Sequence, residues 1–217
     1  MKKIVAINAS PRTSWNTATL VREAAKGAEA EGAEVTVFDL YRLDKFTGCV
    51  SCFGCKLPAH QGTCVCQDGL TPVLDAIRQA DGVILGTPNY LGDVSAAFRA
   101  LYERLVFQVL TYKKEVSSYQ DHFIPVLLIM TSNVSEEMYG QIGYEALLGK
   151  YQNFLGRMVG PTKVLISGDT LQVSDYDKYQ WTMFDPEAKK ARHEEDFPKE
   201  KEKAYNLGTE MVKNPWT

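Results

Sequence analysis

The stretch Lys3-Ile4-Val5-Ala6-Ile7-Asn8-Ala9-Ser10-Pro11-Arg12-Thr13-Ser14-Trp15-Asn16-Thr17 sets a pattern that the rest of the chain repeats. Lys3 to Ile7 reads as a buried strand, and Asn8 to Arg12 as a turn. Thr17 to Glu31 then predicts a helix, with Leu20, Val21, Ala24, Ala25 and Ala28 on one side and Gly32 as the stop. The connecting loop offers hydroxyls at Ser10, Thr13, Ser14 and Thr17, an amide at Asn16 and a guanidinium at Arg12. With the free N–H groups of a helix start, this describes a phosphate cradle. A polar turn capped by Asn16 or Thr17 uses the same residues, and both readings stand. Neither a Walker A pattern nor G-x-G-x-x-G is present, which disfavours a P-loop or dinucleotide fold.

Outward from this unit, strand and helix continue to alternate. Strands are predicted at Glu34–Leu40, Asp81–Gly86, Ile124–Met130 and Pro161–Ser167. Helices are predicted at Thr71–Ala80, Val94–Val109 and Tyr144–Val159, with Pro72 in a favoured first-turn position. Five strands separated by helices imply an α/β fold, a parallel sheet covered on both faces. Ligands then bind beyond the carboxyl ends of the strands. After about Gln172 the pattern stops. The tail is charged and aromatic, with Tyr176, Tyr179, Trp181 and Phe184, and helical periodicity returns near Glu200 to Val212. The aromatics read as packing anchors of a C-terminal extension or as a cap over a neighbouring subunit's ligand. The mixed-sign run Lys189 to Asp196 reads as a solvated helix face. Residues 1–170 form the expected domain and 171–217 the extension.

The 217 residues are 45% apolar and 24% charged, as in ordinary globular proteins. A net charge of −3 argues against a nucleic-acid binder. No apolar run approaches the ~20 residues that span a bilayer. The N-terminus shows no cleavable leader pattern, so a cytoplasmic location is expected. All five cysteines fall between Cys49 and Cys66, which points to metal, cluster or redox chemistry before structural bridges. His60, His122 and His193 fit no catalytic pattern.

The loop Thr87-Pro88-Asn89-Tyr90-Leu91-Gly92-Asp93-Val94-Ser95 reads as a tight turn presenting Tyr90, with a helix starting near Asp93 or Ser95. Together with Ser10-Pro11-Arg12 and Asn16-Thr17, it resembles the flavodoxin-like NAD(P)H-dependent FMN reductases. The insert at 47–68, Gly48-Cys49-Val50-Ser51-Cys52-Phe53-Gly54-Cys55 and then Cys64-Val65-Cys66, is similar to the branch that includes the iron–sulfur flavoproteins. The resemblance covers roughly residues 1 to 170. It implies a doubly wound sheet of order 2-1-3-4-5, bound FMN, NAD(P)H as co-substrate, and a homodimer or homotetramer. Ser10, Arg12, Ser14, Asn16 and Thr17 would hold the FMN phosphate. Pro88, Asn89, Tyr90, Leu91 and Gly92 would border the isoalloxazine, and Thr131, Ser132 and Asn133 would form a third wall.

Within this reading the flavin carries the chemistry and no side chain need act as nucleophile or base. A small-molecule electron acceptor (a quinone, a flavin, a nitro or an azo compound) would be reduced. The alternative is an electron carrier or redox sensor serving a protein partner. The spacing Cys49-x2-Cys52-x2-Cys55-x8-Cys64 directs thiolates at a possible 4Fe-4S cluster. Its last gap is longer than in the iron–sulfur members, so a redox disulfide and free thiols stay open. Zinc is disfavoured, because thiols spaced this closely crowd a tetrahedral site.

Overall fold

In the computed structural model, which describes residues 1–216, strands β1 (Lys3–Asn8), β2 (Glu34–Asp39), β3 (Gly82–Tyr90), β5 (Val126–Thr131) and β6 (Thr162–Ser167) form one parallel sheet. Thr217, the last residue of the expected extension, lies outside the described residues. The strand order is β2-β1-β3-β5-β6, with the two-residue β4 (Asp93–Val94) pairing antiparallel to β3. In chain order of the parallel strands this is 2-1-3-4-5, the flavodoxin-like arrangement. The helices are α1 (Asn16–Ala30), α2 (Thr71–Arg78), α3 (Ala96–Val109), α4 (Tyr144–Met158), α5 (Pro186–Glu195) and α6 (Phe197–Lys213).

Alternation along the strands divides the core in two. Val5, Ile7, Val83, Leu85, Val126, Leu128 and Met130 pack with α2, α3 and α4. Ile4, Ala6, Ile84, Leu127 and Ile129 face the other way, onto α1 and α6. Central strands buried on both faces explain runs such as Val83-Ile84-Leu85. The tail therefore packs on its own chain: Phe197, Ala204, Met211 and Val212 complete the second core.

Three local expectations are corrected. β3 runs four residues past Gly86 to Tyr90, so Thr87 to Tyr90 is strand and not turn. The reversal falls on Leu91 and Gly92, with φ of 54° and 83°, and β4 makes a sixth strand. Neither Asn16 nor Thr17 caps α1; Trp15 holds the N-cap position without a side-chain bond. Helix α3 begins at Ala96, where the Ser95 hydroxyl accepts the Phe98 N–H. Finally, the run from Lys189 is not wholly solvated. Lys189 is buried, and its ammonium donates to the Asn133 carbonyl and Oδ1 at 3.0 Å each and pairs with Asp169.

Candidate functional site

Three loops leave the carboxyl ends of β1, β3 and β5 side by side. They enclose a cleft of about 310 Å³. Ser10, Arg12, Asn16 and Thr17 line it from the first loop, Pro88, Asn89 and Tyr90 from β3, and Thr131, Ser132 and Asn133 from the end of β5. Among the expected residues, Ser14, Leu91 and Gly92 stand outside this lining. Ser14 is exposed. Gly92 is turned into the reversal, its N–H donating to Asn89 Oδ1 at 3.1 Å.

The walls are joined by hydrogen bonds. Thr17 Oγ1 and Thr131 Oγ1 lie 2.7 Å apart, tying the first loop to β5. Asn8 Oδ1 accepts the Ser10 N–H at 3.0 Å, and Ser10 Oγ accepts the Arg12 N–H at 3.2 Å, which shapes the loop. Ser132 is committed to structure: its hydroxyl donates to Val134 O at 2.6 Å and accepts from the buried Tyr139 hydroxyl at 2.7 Å. Burial pushes the Tyr139 and Tyr90 phenols above their ordinary pKa, so both stay neutral near pH 7.

A fourth wall comes from the segment after β6. Asn16 Nδ2 and Trp15 Nε1 donate to the Leu171 carbonyl at 2.8 and 3.0 Å, and Arg12 donates to the Gln172 carbonyl. Thr170, Leu171 and Gln172 line the cleft, and so do Trp181 and Phe184. Tyr176 meets both Trp181 and Phe184 edge-on, and Tyr179 stacks on Trp181 at 4.4 Å between ring centroids. The aromatic run in an otherwise charged tail was the available signal. Of these rings, Trp181 and Phe184 face their own chain's cleft.

The cysteines gather elsewhere. All five are free thiols, and all five line one small cavity of about 20 Å³ with Phe53, Arg104, Phe107 and Gln108. Helix α3 carries the insert: Glu103 Oε2 accepts the Cys49 N–H at 3.3 Å, and Gln108 Oε1 accepts the Cys64 N–H at 3.1 Å. Lys56 Nζ donates to the Leu110 carbonyl at 2.6 Å, closing the C-terminal end of the helix. Ser51 and Phe53, on either side of Cys52, hold positive φ of 55° and 56°. Burial pushes the Cys55 thiol up. Among the described residues, no three of His, Cys, Asp and Glu converge as ligands of a single metal ion.

A 2-1-3-4-5 parallel sheet with a polar cleft at its carboxyl edge defines a flavodoxin-like protein. The chain belongs to the NADPH-dependent FMN reductase family, whose model matches residues 2–138. An iron-sulfur flavoprotein of Methanocaldococcus jannaschii is 38% identical over 102 residues, covering 47% of this chain and 51% of the relative. One from Methanosarcina thermophila is 32% identical over 105 residues, covering 48% and 52%. The chain thus spans about half the length of the curated relatives it matches. Among solved structures, an NAD(P)H:quinone oxidoreductase from Methanothermobacter marburgensis shares the fold with a TM-score of 0.70 at 13% identity, over 97% of this chain and 96% of that one. An azoreductase from Bacillus anthracis gives 0.66 at 14% identity, over 97% and 100%.

Proposed function

We propose that the protein is an FMN-dependent oxidoreductase that uses NAD(P)H to reduce a small-molecule acceptor: a quinone, a flavin, a nitro or an azo compound. The observation that carries this reading is the cleft in which Arg12, Asn16 and Thr17 meet Asn89, Tyr90 and Thr131. FMN held by these residues would supply the chemistry, a hydride-accepting N5 and electrons for a second substrate in ping-pong fashion. The chain's own task is binding and orientation. Arg12, Ser10, Asn16, Thr17 and the free N–H groups of α1 supply charge and donors to a phosphate. Ser14, exposed on the same loop, would contribute only its backbone N–H. Pro88, Asn89 and Tyr90 present strand backbone and one aromatic ring to a flat ligand, with Leu91 and Gly92 forming its outer lip. Trp181 and Phe184 supply an apolar face that excludes water from one side.

Fluorescence titration of the apoprotein with FMN tests this. Charge-assisted phosphate contacts contribute about 1.5–3 kcal/mol each. Arg12→Ala combined with Thr17→Ala is therefore expected to weaken FMN binding at least tenfold. Unchanged affinity would remove the phosphate assignment.

A second reading, an iron–sulfur flavoprotein-type electron carrier or redox sensor acting on a protein partner, is favoured by the five thiols around one cavity. The donor set suits a 4Fe-4S cluster on Cys49, Cys52, Cys55 and Cys64. Ligands of a cubane stand further apart than those of a single ion, so the lack of a single-ion site does not weigh against it. The exposed Val50–Phe53 edge forms the outer rim of this cavity. Five free thiols also fit a reducing, cytoplasmic compartment. A homodimer or homotetramer would cover the exposed Tyr90, Leu91, Trp181 and Met183 at the cleft mouth.

A further inference from the structure

One buried charge has no part in the cleft. Arg104 lies on α3 with its side chain 1% exposed. Its two terminal nitrogens donate to Asp68 Oδ1 at 2.5 Å and to the Cys66 carbonyl at 2.6 Å. Its Nε is buried without a hydrogen-bond partner. The side chain lines the thiol cavity, whereas Asp68 does not. The cation, not its counter-ion, faces the sulfur atoms. Asp68 also accepts the Thr47 N–H at 3.2 Å and the Leu70 N–H at 2.9 Å, so the Arg104–Asp68 pair holds both ends of the insert on α3. An unpaired donor on a buried cation is costly in a finished core. Here the guanidinium lies against the Cys64 thiol, so its donors face sulfur.

We propose that Arg104 is the positioning residue of an iron–sulfur cluster in this cavity, fixing the Cys64–Cys66 turn against α3 and favouring the cluster's reduced form by its charge. This rests on the cluster reading above. Four thiolates give a cubane a net negative charge, and reduction adds one more. A buried cation nearby stabilises the more negative state. The step is the transfer of one electron from reduced flavin, or from dithionite in a titration. No bond to sulfur breaks and no proton is taken up.

The test is a potentiometric titration of the reconstituted 217-residue chain followed by electron paramagnetic resonance, with iron and acid-labile sulfide measured on every sample. Arg104→Met is expected to disfavour reduction at least tenfold, a fall of about 59 mV for a one-electron couple. Asp68→Asn removes the counter-charge and keeps the guanidinium, so its potential is expected to rise. Arg104→Lys keeps the charge and should lie closer to wild type than either. If Arg104→Met fails to load, the direction of the Asp68→Asn shift decides. Equal potentials in all loaded variants would overturn the role of Arg104 while leaving the cluster intact. Wild-type protein without iron and sulfide after anaerobic reconstitution would overturn the cluster reading, and this proposal with it.

Discussion

Leu91 sits at φ 54°, fully exposed, beside Gly92 at φ 83° in the two-residue reversal between β3 and β4. Both central positions of such a turn need positive φ, which suits Asn-Gly and strains leucine by about 1–2 kcal/mol. Leu91→Asn is expected to raise stability by about 1 kcal/mol in urea denaturation. A loss of stability would mean that the leucine side chain makes a stabilising contact. His193 gives a second residue-scale expectation. Burial, with Arg192 and Lys201 nearby, holds its imidazole below the ordinary pKa of 6.5. Below that pH the unfolded chain takes up a proton that the folded chain resists, so stability falls as pH drops. Above 6.5 both states are neutral there and the effect vanishes. Melting temperatures at pH 8 and pH 5.5 should therefore converge in His193→Phe relative to wild type. An equal fall in both would exclude His193 as the cause.

At the scale of elements, α1 and α6 touch backbone to backbone. A Cβ on Gly27 would come within 2.0 Å of the Tyr205 carbonyl oxygen, and one on Gly208 within 1.9 Å of that of Ala24. Helix propensity alone favours Gly208→Ala by about 1 kcal/mol. The contact reverses the sign, because the helices must separate; a net loss of about 1–3 kcal/mol is expected from thermal or urea unfolding. A gain would show that α6 is not seated on α1. Periodicity made α6 legible near Glu200–Val212, yet not its partner. The closest approaches fall at Gly27 and Gly208, which carry no apolar signal. The β3 extension is hidden for a related reason: Pro88, Asn89 and Gly92 are turn residues, and only pairing to β4 and β5 makes Thr87–Tyr90 strand. Lys189 was hidden in a charge run because its partners, Asn133 and Asp169, lie far away in sequence.

The whole molecule follows from one repeated unit. Buried strands alternating with amphipathic helices are legible in the sequence, and that alternation places three loops at one edge of the sheet. The cleft they form therefore contains most of the residues that the sequence assigns to it. What sequence could not supply was the strap at 170–184. It has no periodicity, and it is held by side chains of the first loop bonding its carbonyls across the chain. The thiol cavity shares no lining residue with the cleft, because its far wall is Arg104, Phe107 and Gln108 of α3, a helix that does not line the cleft.

The measurement that tests the central claim most directly is an anaerobic visible spectrum of FMN-reconstituted, desalted protein before and after adding NADPH, then NADH. Retained flavin bands that bleach with at least one donor are the expected result. Bands retained but unbleached by either donor would contradict the reductase reading, and no flavin retained at all would contradict the assignment of the cleft.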